Sequence, residues 1–518
     1  MVEPENKNLI LIDGNIFTMD TDHPMARWVI IHGNGICAFG EGNEWRNFRK
    51  AKDEIIDCKE NTVLPGFIDA HLHLYSFAEN LVTPDLSRDN GIHSVEDLQN
   101  ILQRYSECVP SGFWIRGKGY DEFYLRERRH PDRRDLDKAV PDNPVKITHR
   151  SSHAHVLNSM ALKMVGISRE TPDPPRGIID RDLSTAEPTG LLYEMGDFLS
   201  HHIPPLSREE LEKGVLLANK RLISKGITSF QDASAHNDVR QWELFKGWKG
   251  SSILKPRVGF IIGTEAFSQR GTGPFDTELS EDQLRVNGVK IILDETTGCL
   301  LPSDTELDRI ISDIHNSGLQ AIIHAIEENA VEAACGAIER ILKTFPRRDH
   351  RHRIEHCSVC PPNLARRLSL NNIMVTTHPE FIFHSGDRYL KTVPGKNLKY
   401  LYALNTLINN GVTVAAGSDC PVVHPDPVIG NYCAISRMSK NGNVVNLDES
   451  ISLHEALKLY TVNAAKSSFE ENIKGSLIPG KLADLIILNG DISRMRTDEL
   501  KFVEVDKTII NGELVWSR

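Results

Sequence analysis

Leu64–Leu74 reads L-P-G-F-I-D-A-H-L-H-L, and its second half decides how the rest of the chain is read. An apolar run follows the Pro65-Gly66 break and ends in two histidines one residue apart. Successive side chains of a β-strand point to opposite faces, so His71 and His73 share a face while Leu72 turns away into packing. Two imidazoles on one face at a strand end can reach one metal ion. The spacing alone is weak, because 21 histidines in 518 residues give roughly one H-x-H by chance. His153/His155 and His350/His352 repeat it. Only the first pair ends a buried-looking strand with an acid, Asp69, two residues before it. His350/His352 sits in R-R-D-H-R-H-R and reads as a solvated basic turn.

Working outward, the middle of the chain alternates short apolar strands with amphipathic helical stretches. Strands are expected at 67–73, 226–230, 257–262, 289–293, 320–324, 352–356, 373–377 and 412–416. Helices are expected between several of them, as at 304–317, 330–343 and 401–409. Leu206–Lys225 is a further helix, opened by Ser207 with Glu210 three residues on, a capping box. Alternating β and α elements imply a parallel sheet, and eight such strands over this length predict an α/β fold closed as a (β/α)8 TIM barrel. The barrel is expected over 64–473. Residues 8–60 read as short strands broken by D-G and H-G-N-G turns, and 483–516 read the same way, with Asn511-Gly512 a hairpin turn. Neither end is large enough to bury a sheet alone. A small β-sandwich built from both termini, 1–63 plus 474–518, is expected. Approximately 75–202 is too long for a single loop after the first strand. It predicts an inserted α/β subdomain over the barrel's C-terminal face, serving as lid and specificity element.

The bulk numbers narrow the classes of function. A chain of 518 residues needs two or three domains. The hydrophobic share of 40% and charged share of 25% are those of a soluble globular protein. A net charge of −11 argues against a nucleic-acid partner but does not identify a substrate, since net charge speaks mainly to solubility; a small-molecule substrate is expected from the site residues below. Nine scattered cysteines, with Cys357 and Cys360 as a single C-x-x-C, read as buried thiols in a reducing compartment. The polar, acidic start M-V-E-P-E-N-K-N lacks signal-peptide character, and no apolar run approaches ~20 residues, so no membrane partner and a cytoplasmic location are expected.

What ends each expected strand carries the chemistry. The first ends in His71 and His73, the fifth in His324, the sixth in His356, and Asp419 follows the last. Lys290 is placed early in the fourth strand, where a buried ammonium costs several kcal/mol unless paired or neutralised. In a barrel these strand ends converge on one small volume, and clustered His and Asp side chains there predict a site for one or two divalent ions of zinc type.

The motifs P-G-F-I-D-A-H-L-H, V-K-I-I-L-D, L-Q-A-I-I-H-A, H-R-I-E-H, G-S-D-C-P-V and G-S-L-I-P-G-K-L-A-D-L-I-I-L together resemble the amidohydrolase superfamily. Within it the chain is similar to the YtcJ-like branch, amidohydrolase family 3, over nearly its whole length. The resemblance implies that His71, His73 and Asp419 bind the more buried metal and that His324 and His356 bind a second. It implies that Lys290, if carbamylated, bridges the two, and a one-metal version without carbamylation stays open. Asp419 would be the general base in hydrolysis of a C–N bond of amide or N-formyl type. The same site could act on esters, lactones or cyclic ureas, or in deamination; a non-catalytic scaffold is the remaining alternative. The resemblance also suggests a homodimer or larger. Four positions depart from the family pattern: Asp294-Glu295-Thr296-Thr297, Ile326-Glu327-Glu328, His378-Pro379 where the family has Q-P, and Ser151-Ser152-His153 where it has D-G-H. All four fall near the expected mouth, and His153, Glu295 and His378 are the expected substrate contacts.

Overall fold

Short runs rich in isoleucine, valine and alanine form eight parallel strands, buried along nearly their whole length. They are β1 Phe67–Leu72, β2 Ile227–Asp232, β3 Arg257–Gly263, β4 Leu284–Ile292, β5 Ala321–Ala325, β6 Arg353–His356, β7 Met374–Thr377 and β8 Val414–Ala416. Each pairs with its neighbour in chain order. A parallel bridge between Leu72 and Cys420 brings the last strand back to the first, so the sheet is a nearly closed barrel. The computed structural model describes residues 7–174, 177–270, 273, 275, 279–294 and 299–518.

Helices cover the outside of these strands. Glu328–Thr344 shows why they do: Val331, Ala334, Cys335, Ile338 and Ile341 recur at helical spacing and are all buried. The capping box forms as well, with Glu210 N donating to Ser207 Oγ at 3.2 Å and Ser207 N donating to Glu210 Oε2 at 2.9 Å.

The chain divides into two compact units, Met1–His73 with Asn219–Arg518, and Leu74–Ala218. The first holds the barrel and two further sheets. One has four strands in the order Gly35–Gly40, Trp28–His32, Asn8–Ile12 and Glu54–Asp57, all from the N-terminal segment. The other has six, in the order Glu513–Ser517, Val505–Ile510, Leu485–Leu488, Thr62–Pro65, Asn15–Phe17 and Met25–Ala26. Here the two ends of the chain meet: Leu64 faces Ile486 and Val63 faces Ile487 in antiparallel register. Leu11, Val29 and Ile31 of the first sheet share one apolar cluster with Ile16, Val63, Leu485, Ile487 and Ile509 of the second. Arg257, at the start of β3, is 1% exposed and ties this end to the barrel. It donates to Asp484 through Nε at 2.6 Å and Nη2 at 3.0 Å, and pairs with Asp282.

The second unit is a five-stranded sheet in the order Ile178–Arg181, Pro188–Tyr193, Ala154–Leu157, Val145–His149 and Ile115–Tyr120. Its helices Val95–Ser106 and Arg133–Ala139 pack Leu98, Leu102 and Leu136 with Ile115, Val145 and Ile147.

Two expectations are corrected. Lys290 does not lie early in its strand. β4 begins at Leu284, so Lys290 lies near its carboxyl end, level with Gly263 and Ile322. Arg285 and Asn287 disguise the strand's start, because polar residues in L-R-V-N interrupt the apolar run. Nor is His350/His352 a solvated turn. Both rings are buried, at 1% and 0% exposure. His350 accepts the His352 backbone N–H at 2.9 Å and donates to Asn371 O at 2.9 Å, and His352 meets His315 at 2.8 Å. A left-handed turn of the backbone at Arg351, φ +46°, lets both histidines be buried while Arg351 pairs with Asp349 and Glu471. All nine cysteines are free; Cys357, Cys360 and four others are buried as expected, but Cys37, Cys108 and Cys299 are exposed. Among the described residues no helix is long and apolar enough to cross a membrane.

Candidate metal centre

Five side chains from four places in the chain converge at the carboxyl ends of the barrel strands. Among the described residues, the ligand atoms of His71, His73 and Asp419 lie within 4.8 Å of one another, and so do those of His71, His356 and His378. His71 belongs to both groups and is fully buried. Its ring centroid lies 5.2 Å from that of His73, 5.1 Å from His356 and 5.3 Å from His378.

Local backbone explains the convergence. Asp69 and His71 share the inner face of β1, and His73 follows one residue past its end. On β6, alternation puts Arg353 and Glu355 inside and would send His356 outward with Ile354. The backbone breaks this pattern at His356, with φ +67°, and its ring turns to the cluster. Asp419 also has left-handed backbone, φ +56°. Such positions cost about 1–3 kcal/mol and gather at functional sites. Gly417 is required where it is, since a Cβ there would sit 2.5 Å from His71 N and 2.9 Å from Asp69 Oδ1.

The polar partners follow one plan. His71 Nδ1 contacts Glu355 Oε2, His73 Nδ1 lies 3.2 Å from Ser234 Oγ, and His378 Nδ1 donates to Gly417 O at 2.8 Å. In each ring the outer nitrogen is held by an oxygen and Nε2 faces inward. This is the arrangement in which metal-ligating histidines are held. His73 Nε2 lies 3.0 Å and His71 Nε2 3.4 Å from Asp419 Oδ1, and Lys290 Nζ is 3.5 Å from His71 Nε2. His378 Nε2 is buried without a hydrogen-bond partner. Glu355 is itself braced by Arg353, whose Nε donates to Oε1 at 2.7 Å and whose Nη1 donates to Gln231 Oε1 at 2.6 Å.

Electrostatics agree with a cation-binding donor set. Burial first, then the neighbouring positive groups, holds His71 and His356 well below the usual imidazole range, so both rings are neutral and carry lone pairs. Burial lowers the Lys290 ammonium to about 8. Burial opposes ionisation of Asp419, but the His73 hydrogen bond and the neighbouring His378, His73 and Lys290 side chains outweigh it and hold the carboxyl low. The neutral His71 and His356 rings, an ionised carboxylate and an orphaned inward-facing nitrogen fit a divalent metal ion.

The remaining expected residues fall elsewhere. The His324 ring lies 4.3 Å from that of His356, edge to face, but it is in neither ligand group. His153 is in the second unit, exposed, and pairs with Glu194 at 2.9 Å. Glu295 lies outside the described residues. His378 is brought into the cluster at 0% exposure rather than to an open mouth. A third group, Asp121, Glu122 and His149, stands in the second unit, where Glu122 Oε2 meets His149 Nε2 at 2.8 Å. Glu355, Arg353 and Ser234 were missed by sequence reasoning. For the first two a signal existed, since R-I-E-H places an acid and a base together on the inner face of an apolar strand.

The sequence profile described as "Amidohydrolase family" matches residues 54–516. The chain belongs to that family. It is 28% identical over 530 residues to "Putative amidohydrolase YtcJ" of Bacillus subtilis (strain 168), covering 98% of each chain. It is equally 28% identical over 546 residues to "N-substituted formamide deformylase" of Arthrobacter pascens, covering 99% of each. Among solved structures it resembles an uncharacterized metal-dependent hydrolase from Pyrococcus furiosus, with a TM-score of 0.72, 25% identity, and 93% and 98% of the two chains covered. A counterpart from Pyrococcus horikoshii OT3 gives a TM-score of 0.76 at 23% identity, over 95% and 99% of the chains, and shares the fold. The family and these likenesses make the chain a hydrolase.

Proposed function

We propose that this amidohydrolase cleaves a C–N bond, of amide or N-formyl type, in a small molecule. The observation that carries this is the inward convergence of imidazole nitrogens on Asp419 and Lys290 at one end of the barrel. The full-length likeness to an N-substituted formamide deformylase supports the bond type.

His71, His73 and Asp419 would hold one divalent ion, zinc being the best match to the donors, and His356 with His324 a second. A bound ion supplies a polarised carbonyl and a water acidified toward neutral pH. Asp419 accepts the proton of the attacking water and delivers it to the leaving nitrogen, so no net charge is left on the enzyme. Its lowered pKa suits the first half of that task, because the carboxylate is ionised before the water arrives. Burial lowers the Lys290 ammonium to about 8 and so favours its neutral form. A neutral amine is the form that adds carbon dioxide, and the resulting carbamate would replace a buried cation by an anion beside His71.

The experiment is elemental analysis of the purified chain together with hydrolysis of a panel of N-formyl amines, simple amides, esters and lactones. One to two divalent ions per chain and turnover of C–N substrates are expected. Asp419→Asn should retain metal and lose turnover. A metal-free active chain overturns the reading, and preference for esters or lactones moves the same site to the alternative chemistry.

A further inference from the structure

We infer that His378 is a metal ligand of this site, a position for which the sequence suggested only a substrate contact. The inference rests on the metal reading above and adds a donor to it. His378 follows β7 directly, and the neighbouring strand end runs alongside it, with Gly417 N donating to Thr377 O at 3.1 Å. Two contacts fix its ring. Nδ1 lies 2.8 Å from Gly417 O, and the ring face stacks on Phe381 with centroids 5.0 Å apart and planes 26° from parallel.

The Gly417 carbonyl can only accept, so the proton of a neutral His378 resides on Nδ1 and the lone pair on Nε2. That lone pair is buried with no hydrogen donor to satisfy it. Leaving a polar nitrogen so buried costs about 1–3 kcal/mol. It faces His356, whose centroid is 4.7 Å away, and His71, and the ligand atoms of all three fall within 4.8 Å. At 0% exposure the ring presents no open surface, whereas an ion bound beside it at His356 would supply the missing partner. A carbonyl on the outer nitrogen and an open inner one is also how ligating histidines are set.

The test uses the full chain loaded with zinc alone. X-ray absorption at the zinc edge counts imidazoles per ion, and chelator competition gives the zinc Kd, for wild type, His378→Ala and His378→Gln. The glutamine variant retains bulk and a polar tip where alanine leaves a cavity. The expected result is a lower imidazole count in both variants and a zinc Kd raised at least tenfold in His378→Ala, with a fold unchanged by circular dichroism in at least the glutamine variant. Wild-type imidazole count and wild-type Kd in both variants overturn the inference and leave the metal reading standing. A wild-type chain that takes up no zinc overturns both.

Discussion

Replacing Glu355 by glutamine should weaken metal binding without touching a ligand. Glu355 is 0% exposed, and each of its oxygens has one donor: Oε1 takes Arg353 Nε–H at 2.7 Å and Oε2 takes His71 Nδ1. A glutamine offers one acceptor and one donor in the same space. If its oxygen stays with Arg353, whose guanidinium cannot change protonation, the amide N–H₂ faces His71 Nδ1. His71 must then present a lone pair outward and carry its proton on Nε2, which abolishes ligation, or leave two donors opposed. Losing a charge-assisted hydrogen bond costs about 1.5–3 kcal/mol. At ~1.4 kcal/mol per decade, that is a zinc Kd raised about 10- to 100-fold, the range found when partners of metal-bound histidines are removed. Chelator competition on wild type, Glu355→Gln and His71→Ala, with circular dichroism to verify the fold, measures it. Wild-type affinity in Glu355→Gln alongside lost affinity in His71→Ala would refute the argument that Glu355 sets the His71 tautomer.

Three further outcomes are expected. Gly417→Ala forces a methyl group to within 2.5 Å of His71 N and 2.8 Å of His71 Cβ, so a loss of about 1–3 kcal/mol and a weaker zinc site should appear together; a wild-type melting midpoint would mean the strand end yields freely. Arg257→Ala leaves Asp484 buried and unpaired, and urea unfolding should show a loss of about 3–5 kcal/mol, while a loss below about 1 kcal/mol would show that the pair is not what joins β3 to the terminal strands. The third concerns acid. Burial lowers His350 to about 4, below its unfolded value near 6.5, so its contribution is complete above ~6.5 and disappears as the pH falls from there to about 4. Up to about 3 kcal/mol is at stake, and the urea midpoint should fall less steeply over that window in His350→Asn; parallel slopes would exclude His350 as a source.

The eight barrel strands were legible because each is a short apolar run bounded by turn residues, and all eight recur within a few residues of their expected places. His71, His73, His356 and Asp419 were legible because strand ends in a barrel must meet. Distance along a strand was harder to read. Arg285 and Asn287 hid the first half of β4, and Lys290 looked misplaced in consequence. The R-R-D-H-R-H-R stretch looked solvated because charge dominates its composition, yet a left-handed turn at Arg351 buries His350 and His352, Arg353 is buried inside the barrel, and Arg348 and Asp349 stay exposed. Glu355 went unnoticed for a related reason. Reading His356 as the end of its strand drew attention from the acid before it, whose partner is 284 residues away. The inner nitrogen of His378 depends on a carbonyl of β8's trailing residue, a contact that no local pattern encodes.

The antiparallel pairing of Thr62–Pro65 with Leu485–Leu488 bears on how the protein is made. Thr62 Oγ1 accepts from the backbone of Ile492, 430 residues away. A ribosome delivers Thr62–Pro65 long before Leu485–Leu488, the strand that completes its sheet. Until then one edge of Thr62–Pro65 is bare hydrogen-bonding backbone next to the sequence that carries His71 and His73, a segment for chaperones to shield or for other nascent chains to capture. A product cut short before residue 485 should therefore aggregate or be degraded, even though every metal-binding side chain named above would already have been translated.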